Sequence, residues 1–228
     1  MSGSLADTYV ERDNPIPRNP WVFCHSGAGS NLSILGAVHT SVRPITRRTS
    51  RQGFAGVAVT NQPHGWGNDA ALTIVDDAVD YHRASRQGTA DGPVLFGVSA
   101  GATTCLRYTM DGTYTPAAVV LLIPVIDLAA RYADNTGGNQ TLIAAAWGVT
   151  APAALPADAD LLDRANEIGC PVLAYYASDD VWSDDIATMA AASPQPFTAV
   201  NVGALGHDNA AIAAADIDQL ITFVQENA

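Results

Sequence analysis

Short apolar runs recur along the chain at residues 21–24, 56–59, 94–98, 118–123, 172–176 and 197–202. Each is too short for a buried helix and rich in β-branched or aromatic residues, the pattern of parallel strands covered on both faces. Helical spacing fills several of the gaps. Residues 69–87 set Leu72, Val75 and Val79 on one face and stop before Gly88, a residue suited to a left-handed helix end. Residues 102–110 read as a second helix ending near Gly112. The segment from His207 onward reads as a third, with Ala213, Ile217, Leu220, Ile221 and Val224 on a common face. Alternating strands and helices predict an α/β fold in three layers, a mostly parallel sheet of about six to eight strands with helices on both faces. In such sheets, sites form beyond the carboxyl ends of the strands.

One stretch breaks the alternation. Residues 127–169 hold the loop Asn135-Thr136-Gly137-Gly138-Asn139, a short helical piece at 144–147, a proline-bounded segment at 152–156 and a helical pattern at 161–168. They read as a small cap or lid leaving the sheet. With 228 residues and no internal repeat, the chain is expected to form one domain over 1–228.

Composition narrows the partners. Apolar residues make up 48 % of the chain and charged ones 15 %, a balance suited to a core-rich globular protein. The formal net charge is −12, and all 11 basic residues are arginine. So acidic a chain repels nucleic-acid phosphates and anionic headgroups, so no nucleic-acid partner is expected. Residues 1–20 are polar and proline-dotted without an apolar h-region, and no apolar run reaches the length of a membrane span. The expectation is a soluble chain without an export signal, cytoplasmic or otherwise not secreted by a signal peptide, with association with a virion left open. Cys24, Cys105 and Cys170 form no C-x-x-C pair and read as reduced, mostly buried thiols. There is no H-E-x-x-H, and the run Asp179, Asp180, Asp184, Asp185 lacks the glycine and spaced ligands of a calcium loop, so no metal or cofactor is expected.

The candidate chemistry lies at the exits of the predicted strands. The run at 94–98 leads into Gly97-Val98-Ser99-Ala100-Gly101 and then a helix, the strand-turn-helix context in which a G-x-S-x-G serine projects above a sheet edge. A serine hydroxyl needs a base to take its proton. Among the histidines, His207 follows the last strand and so reaches the same edge, whereas His39 and His82 sit in helical stretches with no evident partner. The base in turn needs a carboxylate to hold its tautomer. The strand at 172–176 delivers Asp179 and Asp180 there; Asp180 is the first choice, Asp179 the second, and Asp127, beyond the run at 118–123, the third. Asp184 and Asp185 suit the start of the next helix. A tetrahedral intermediate needs hydrogen-bond donors. Ala100, the residue after the serine, offers one N–H. The small-residue loop His25-Ser26-Gly27-Ala28-Gly29 offers a second, from Gly27 or else Ala28. His25 and Trp66, the latter in His64-Gly65-Trp66-Gly67, are candidate substrate contacts.

The elbow around Ser99, the loop from His25 to Gly29, the order Ser99, Asp180, His207 and the approach to the acid through residues 161–180 together resemble the α/β-hydrolase superfamily, in its serine esterase and lipase branch. The resemblance runs from about Trp21 to the C-terminus. Ser26 stands where many members carry glycine, and the chain starts almost at the third strand of the superfamily's usual sheet, which implies a reduced one. The resemblance implies a cofactor-free hydrolase that cleaves a small-molecule carboxylic ester through an acyl-enzyme on Ser99, oligomeric state left open. The alternative is a non-catalytic member whose pocket binds a small molecule or surface glycan, for example in a phage tail assembly.

Overall fold

Strands β4 (Val94–Val98) and β5 (Ala118–Leu122) are buried at every residue. Successive side chains of a strand point to opposite faces, so each strand feeds two separate cores. Leu95, Val119, Leu121, Val172 and Ala174 belong to one, with Leu72, Val75, Val79, Leu106, Ile186 and Met189. Val94, Phe96, Val98, Val120, Leu122, Leu173 and Tyr175 belong to the other, with Ile212, Leu220, Ile221 and Val224. The helices contributing to the first core are α1 (Asp69–Arg86), α2 (Ala100–Asp111) and α5 (Ile186–Ala192); those of the second are α6 (Asn209–Ala213) and α7 (Ile217–Asn227). Helices thus cover both faces of the sheet, as the alternating pattern predicts.

The computed structural model describes residues 9–11, 21–25, 44–45, 48, 56–60, 65–86 and 92–227. With β1 (Tyr9–Glu11), β2 (Trp21–His25), β3 (Gly56–Thr60), β6 (Val172–Tyr176) and β7 (Phe197–Asn201), the described sheet has seven strands in the order β1-β3-β2-β4-β5-β6-β7. Every pairing is parallel except that of β1 with β3. Phe96 of β4 sits in register with Phe23 of β2 and Val120 of β5, which places the carboxyl end of β4 between its neighbours' ends.

Four features depart from the sequence pattern. β1 falls in the polar segment before residue 21, where three residues give no period to read. Residues 161–168 form turns and a short 3₁₀ element, Ala165–Glu167, not a helix. Its backbone bonds span three residues, from Ala165 N to Leu162 O at 3.2 Å and from Ile168 N to Ala165 O at 3.3 Å, and Leu161 and Ile168 still pack inward. The C-terminal helical stretch is two helices, because Asp216 Oδ1 accepts from Asp218 N at 2.9 Å and Gln219 N at 3.1 Å and restarts the helix. Ala213 is consequently exposed, and Ala211 and Ile212 supply the inward face of α6. Finally, β7 is an edge strand with Thr198, Ala199 and Asn201 exposed, not a strand covered on both faces.

Residues 127–169 leave the sheet after β5 and carry α3 (Leu128–Ala133) and α4 (Gln140–Ala146), the latter earlier than the piece expected at 144–147. Leu128, Tyr132, Ile143, Ala144 and Ala159 form a third core with Trp66, Val125 and Ala100, the residue following Ser99. Arg107 of α2 ties this segment down. Its guanidinium, almost fully buried, donates to Gly67 O at 2.7 Å, Asp69 at 2.7 Å, Asp158 at 2.6 Å and Asp111 at 3.0 Å, and lies 4.9 Å from the Trp147 ring centroid. A buried cation is tolerated only with such compensation. Among the described residues, no helix is long and apolar enough to cross a membrane.

Candidate active site

The turn after β4 is shaped by close backbone approach. A Cβ on Gly97 would stand 2.5 Å from Ala102 Cα, so only glycine lets α2 begin this near the strand. Ser99 takes φ 54°, ψ −124°, a conformation that L side chains rarely adopt. It is fixed there by its N–H, which donates to Leu122 O at 3.1 Å, and by its carbonyl, which accepts from Ala102 N at 2.8 Å. Ser99 occupies the N-cap position of α2, but its hydroxyl makes no capping bond. It lies instead 2.7 Å from His207 Nε2.

His207 sits in the loop between β7 and α6. Gly206 N donates to Asp179 Oδ1 at 2.7 Å, and Asp208 caps α6 by accepting from Ala210 N at 3.1 Å. Gly206 has φ 63°, a left-handed turn in which glycine carries no side-chain strain. The other ring nitrogen, Nδ1, lies 2.8 Å from Asp180 Oδ2. A carboxylate can only accept, so Nδ1 carries the proton and Nε2 turns its lone pair to the Ser99 hydroxyl.

The neighbouring acids divide the work. Asp180 has a fully buried side chain: Oδ1 accepts from Trp182 N at 3.0 Å, and the Ser183 hydroxyl lies 3.1 Å from Oδ2 and 2.6 Å from Pro124 O. Asp179 is exposed and engages Gly206, while Asp127 caps α3 through Ala130 N at 2.8 Å. Asp184 and Asp185 lie 4.0 and 3.9 Å from Arg131.

Ala100 opens α2, where backbone N–H groups lack intrahelical acceptors and the helix dipole is positive. β2 ends at His25, beside β4 in the sheet. Gly27, Ala28, His39 and His64 and the side chains of His25 and His82 lie outside the described residues. Trp66 is buried, with φ 43°. It stacks on Trp182 with centroids 5.9 Å apart, and its carbonyl accepts from Trp147 Nε1 at 3.2 Å. Trp182 also lies against the His207 ring, at 6.0 Å. Trp182 and Trp147 belong to no motif in the sequence; a bulky indole two residues past the acid is the available signal for the first. Strain gathers at this edge: Trp66, Ser99 and Ile123, all at positive φ, follow β3, β4 and β5. Such outliers persist where surrounding structure holds them. Among the described residues, no three or more His, Cys, Asp or Glu side chains group to hold a metal ion.

No protein-family model matches the sequence, and no curated protein does. Solved structures do match. The esterase domain of a Rhodothermus marinus protein is similar at TM-score 0.62 and 17 % identity, over 96 % of this chain and 97 % of that one. A fluorophosphonate-binding serine hydrolase of Staphylococcus aureus is similar at TM-score 0.67 and 16 % identity, over 91 % and 83 %. The monoacylglycerol lipase of Paleococcus ferrophilus is similar at TM-score 0.61 and 14 % identity, over 94 % and 98 %. The architecture is the α/β-hydrolase fold.

Proposed function

We propose that a chain of this fold, with Ser99, His207 and Asp180 in one hydrogen-bonded line, is a serine hydrolase that cleaves a small-molecule carboxylic ester. The observation that carries the reading is the pair of contacts from Ser99 Oγ to Nε2 at 2.7 Å and from Nδ1 to Asp180 at 2.8 Å. The similarity of the fold to esterases and a lipase supports acyl transfer as the reaction class.

In this reading His207 Nε2 takes the Ser99 proton as Oγ attacks the ester carbonyl carbon, whose π electrons move onto oxygen. The oxyanion accepts from Ala100 N–H and from a second donor in the loop after β2, Gly27 or Ala28. Collapse breaks the bond to the alcohol oxygen, which takes the proton from Nε2 and leaves. Water then gives a proton to Nε2 and attacks the acyl-enzyme. The second collapse returns that proton to Ser99 and frees the carboxylic acid. Asp180 keeps the imidazole in its tautomer and offsets the imidazolium charge throughout. Trp66 and His25 border the substrate. Substrate, water and this chain supply every proton and electron pair.

Incubation with a fluorophosphonate followed by mass measurement tests the reading. Wild type should gain one adduct, Ser99→Ala none, and His207→Ala should react far more slowly. Hydrolysis of p-nitrophenyl esters should fall by roughly 10⁴-fold or more in either variant. A wild type that neither labels nor turns over any ester in a chain-length series overturns it in favour of a non-catalytic binding module.

A further inference from the structure

Trp182 is held at several points. Its N–H donates to Asp180 at 3.0 Å and its carbonyl accepts from Ile126 N at 3.0 Å, so its backbone is pinned on both sides. Its indole stacks on Trp66 at 5.9 Å with the planes 30° apart, and meets the His207 imidazole at 6.0 Å with the planes 48° apart. The loop between α3 and α4 closes on its edge, since a Cβ on Gly137 would stand 3.3 Å from Trp182 Cζ2. Trp66, the other half of the stack, has an uncommon backbone conformation, φ 43°.

This packing bears on the one group that must become cationic twice per turnover. Asp180 meets the imidazole at Nδ1 and Ser99 meets it at Nε2, which fixes two ring atoms but leaves the faces open to rocking. An indole attracts a cation placed over its face within about 6 Å of the ring centroid. We propose that Trp182 is a positioning residue for the hydrolytic reaction: its indole holds the imidazole in line with Ser99 and stabilises the imidazolium formed when His207 takes the serine proton. The inference rests on the functional reading above, in which His207 is the general base. It adds the cap loop at Gly137 and the strained Trp66 as the supports that keep the indole in place.

The test compares Trp182→Phe, which keeps an aromatic face, with Trp182→Leu, which keeps only apolar bulk; Trp182→Met replaces the latter if it does not fold. Fluorophosphonate stoichiometry counts competent molecules, the labelling rate measures serine reactivity, and ester hydrolysis separates kcat from KM. In Trp182→Leu, kcat and labelling rate should fall about tenfold to thirtyfold per competent molecule, with KM changed by less than about threefold. Trp182→Phe should recover most of the loss. Equal rates for Leu and Phe overturn the inference, as does a loss carried wholly by KM, which would make the indole a substrate contact. A wild type that does not label overturns the functional reading and this inference with it, whereas a labelled wild type matched by Trp182→Leu overturns this inference alone.

Discussion

Ser99 stands at the head of a helix in which residues 100–109 are all buried, whereas His207 follows a loop in which Gly203, Ala204 and Leu205 are exposed. The serine side is fixed by packing: Gly97 lets α2 sit on β4, and Ala102, Cys105 and Leu106 fill the core beneath. The imidazole side is fixed by two consecutive carboxylates, Asp179 on the loop backbone and Asp180 on the ring. Packing is cooperative, so damage near Ser99 is expected to appear as lost stability. Hydrogen bonds to a loop act locally, so damage near His207 is expected to appear as lost activity in a folded chain.

The largest expected effect belongs to the loop side. Asp180→Asn should lower kcat by about 10⁴-fold, because the amide can present a donor to Nδ1 and favour the wrong tautomer. Far-ultraviolet circular dichroism should stay near that of wild type, and a kcat within tenfold would break the contrast. On the elbow side, Gly97→Ala forces a Cβ against Ala102 backbone and should cost about 1–3 kcal/mol or more in urea unfolding. An unchanged midpoint would show that α2 moves freely from β4. Among the described residues Asp179→Ala releases Gly206 N, so kcat/KM should fall about fivefold, near 1 kcal/mol, with little change in Tm.

The smallest effect is at the far end of α2. Arg164 first, and Arg107 after it, hold the Asp111 carboxyl below its ordinary value of 3.8, against the opposing effect of burial. A depressed carboxylate contributes stability that is present above the unfolded value and lost as pH falls through the folded one. Asp111→Asn should therefore lose a little stability at neutral pH, and its thermal unfolding should respond less than that of wild type to acidification below about pH 4. An identical acid response in the two proteins would sever Asp111 from the network.

The legible parts of the molecule were those governed by short-range rules. The unbroken apolar runs at 94–98, 118–122 and 172–176 reflect burial on both sheet faces, and the glycine two before Ser99 reflects a single close approach. Ranking Asp180 above Asp179 was as far as spacing could go, because adjacent residues in a turn point different ways and only the fold decides which meets the ring. The exposure of β7 depends on its place at the sheet edge, which no local pattern encodes. Trp182 carries one local signal, its place two residues past the acid, but its meaning comes from Trp66, far away in the chain, and from the His207 ring beside it.

The crowding of indoles at one rim has a practical corollary. The chain has 4 tryptophans, and Trp66, Trp147 and Trp182 are linked by stacking or by a hydrogen bond, with only Trp21 elsewhere, in β2. Trp182, its ring centroid 6.0 Å from that of the imidazole, therefore makes intrinsic emission a reporter on that rim. Occupancy of that rim should change its colour and intensity without any attached dye, even in a Ser99→Ala chain that turns nothing over.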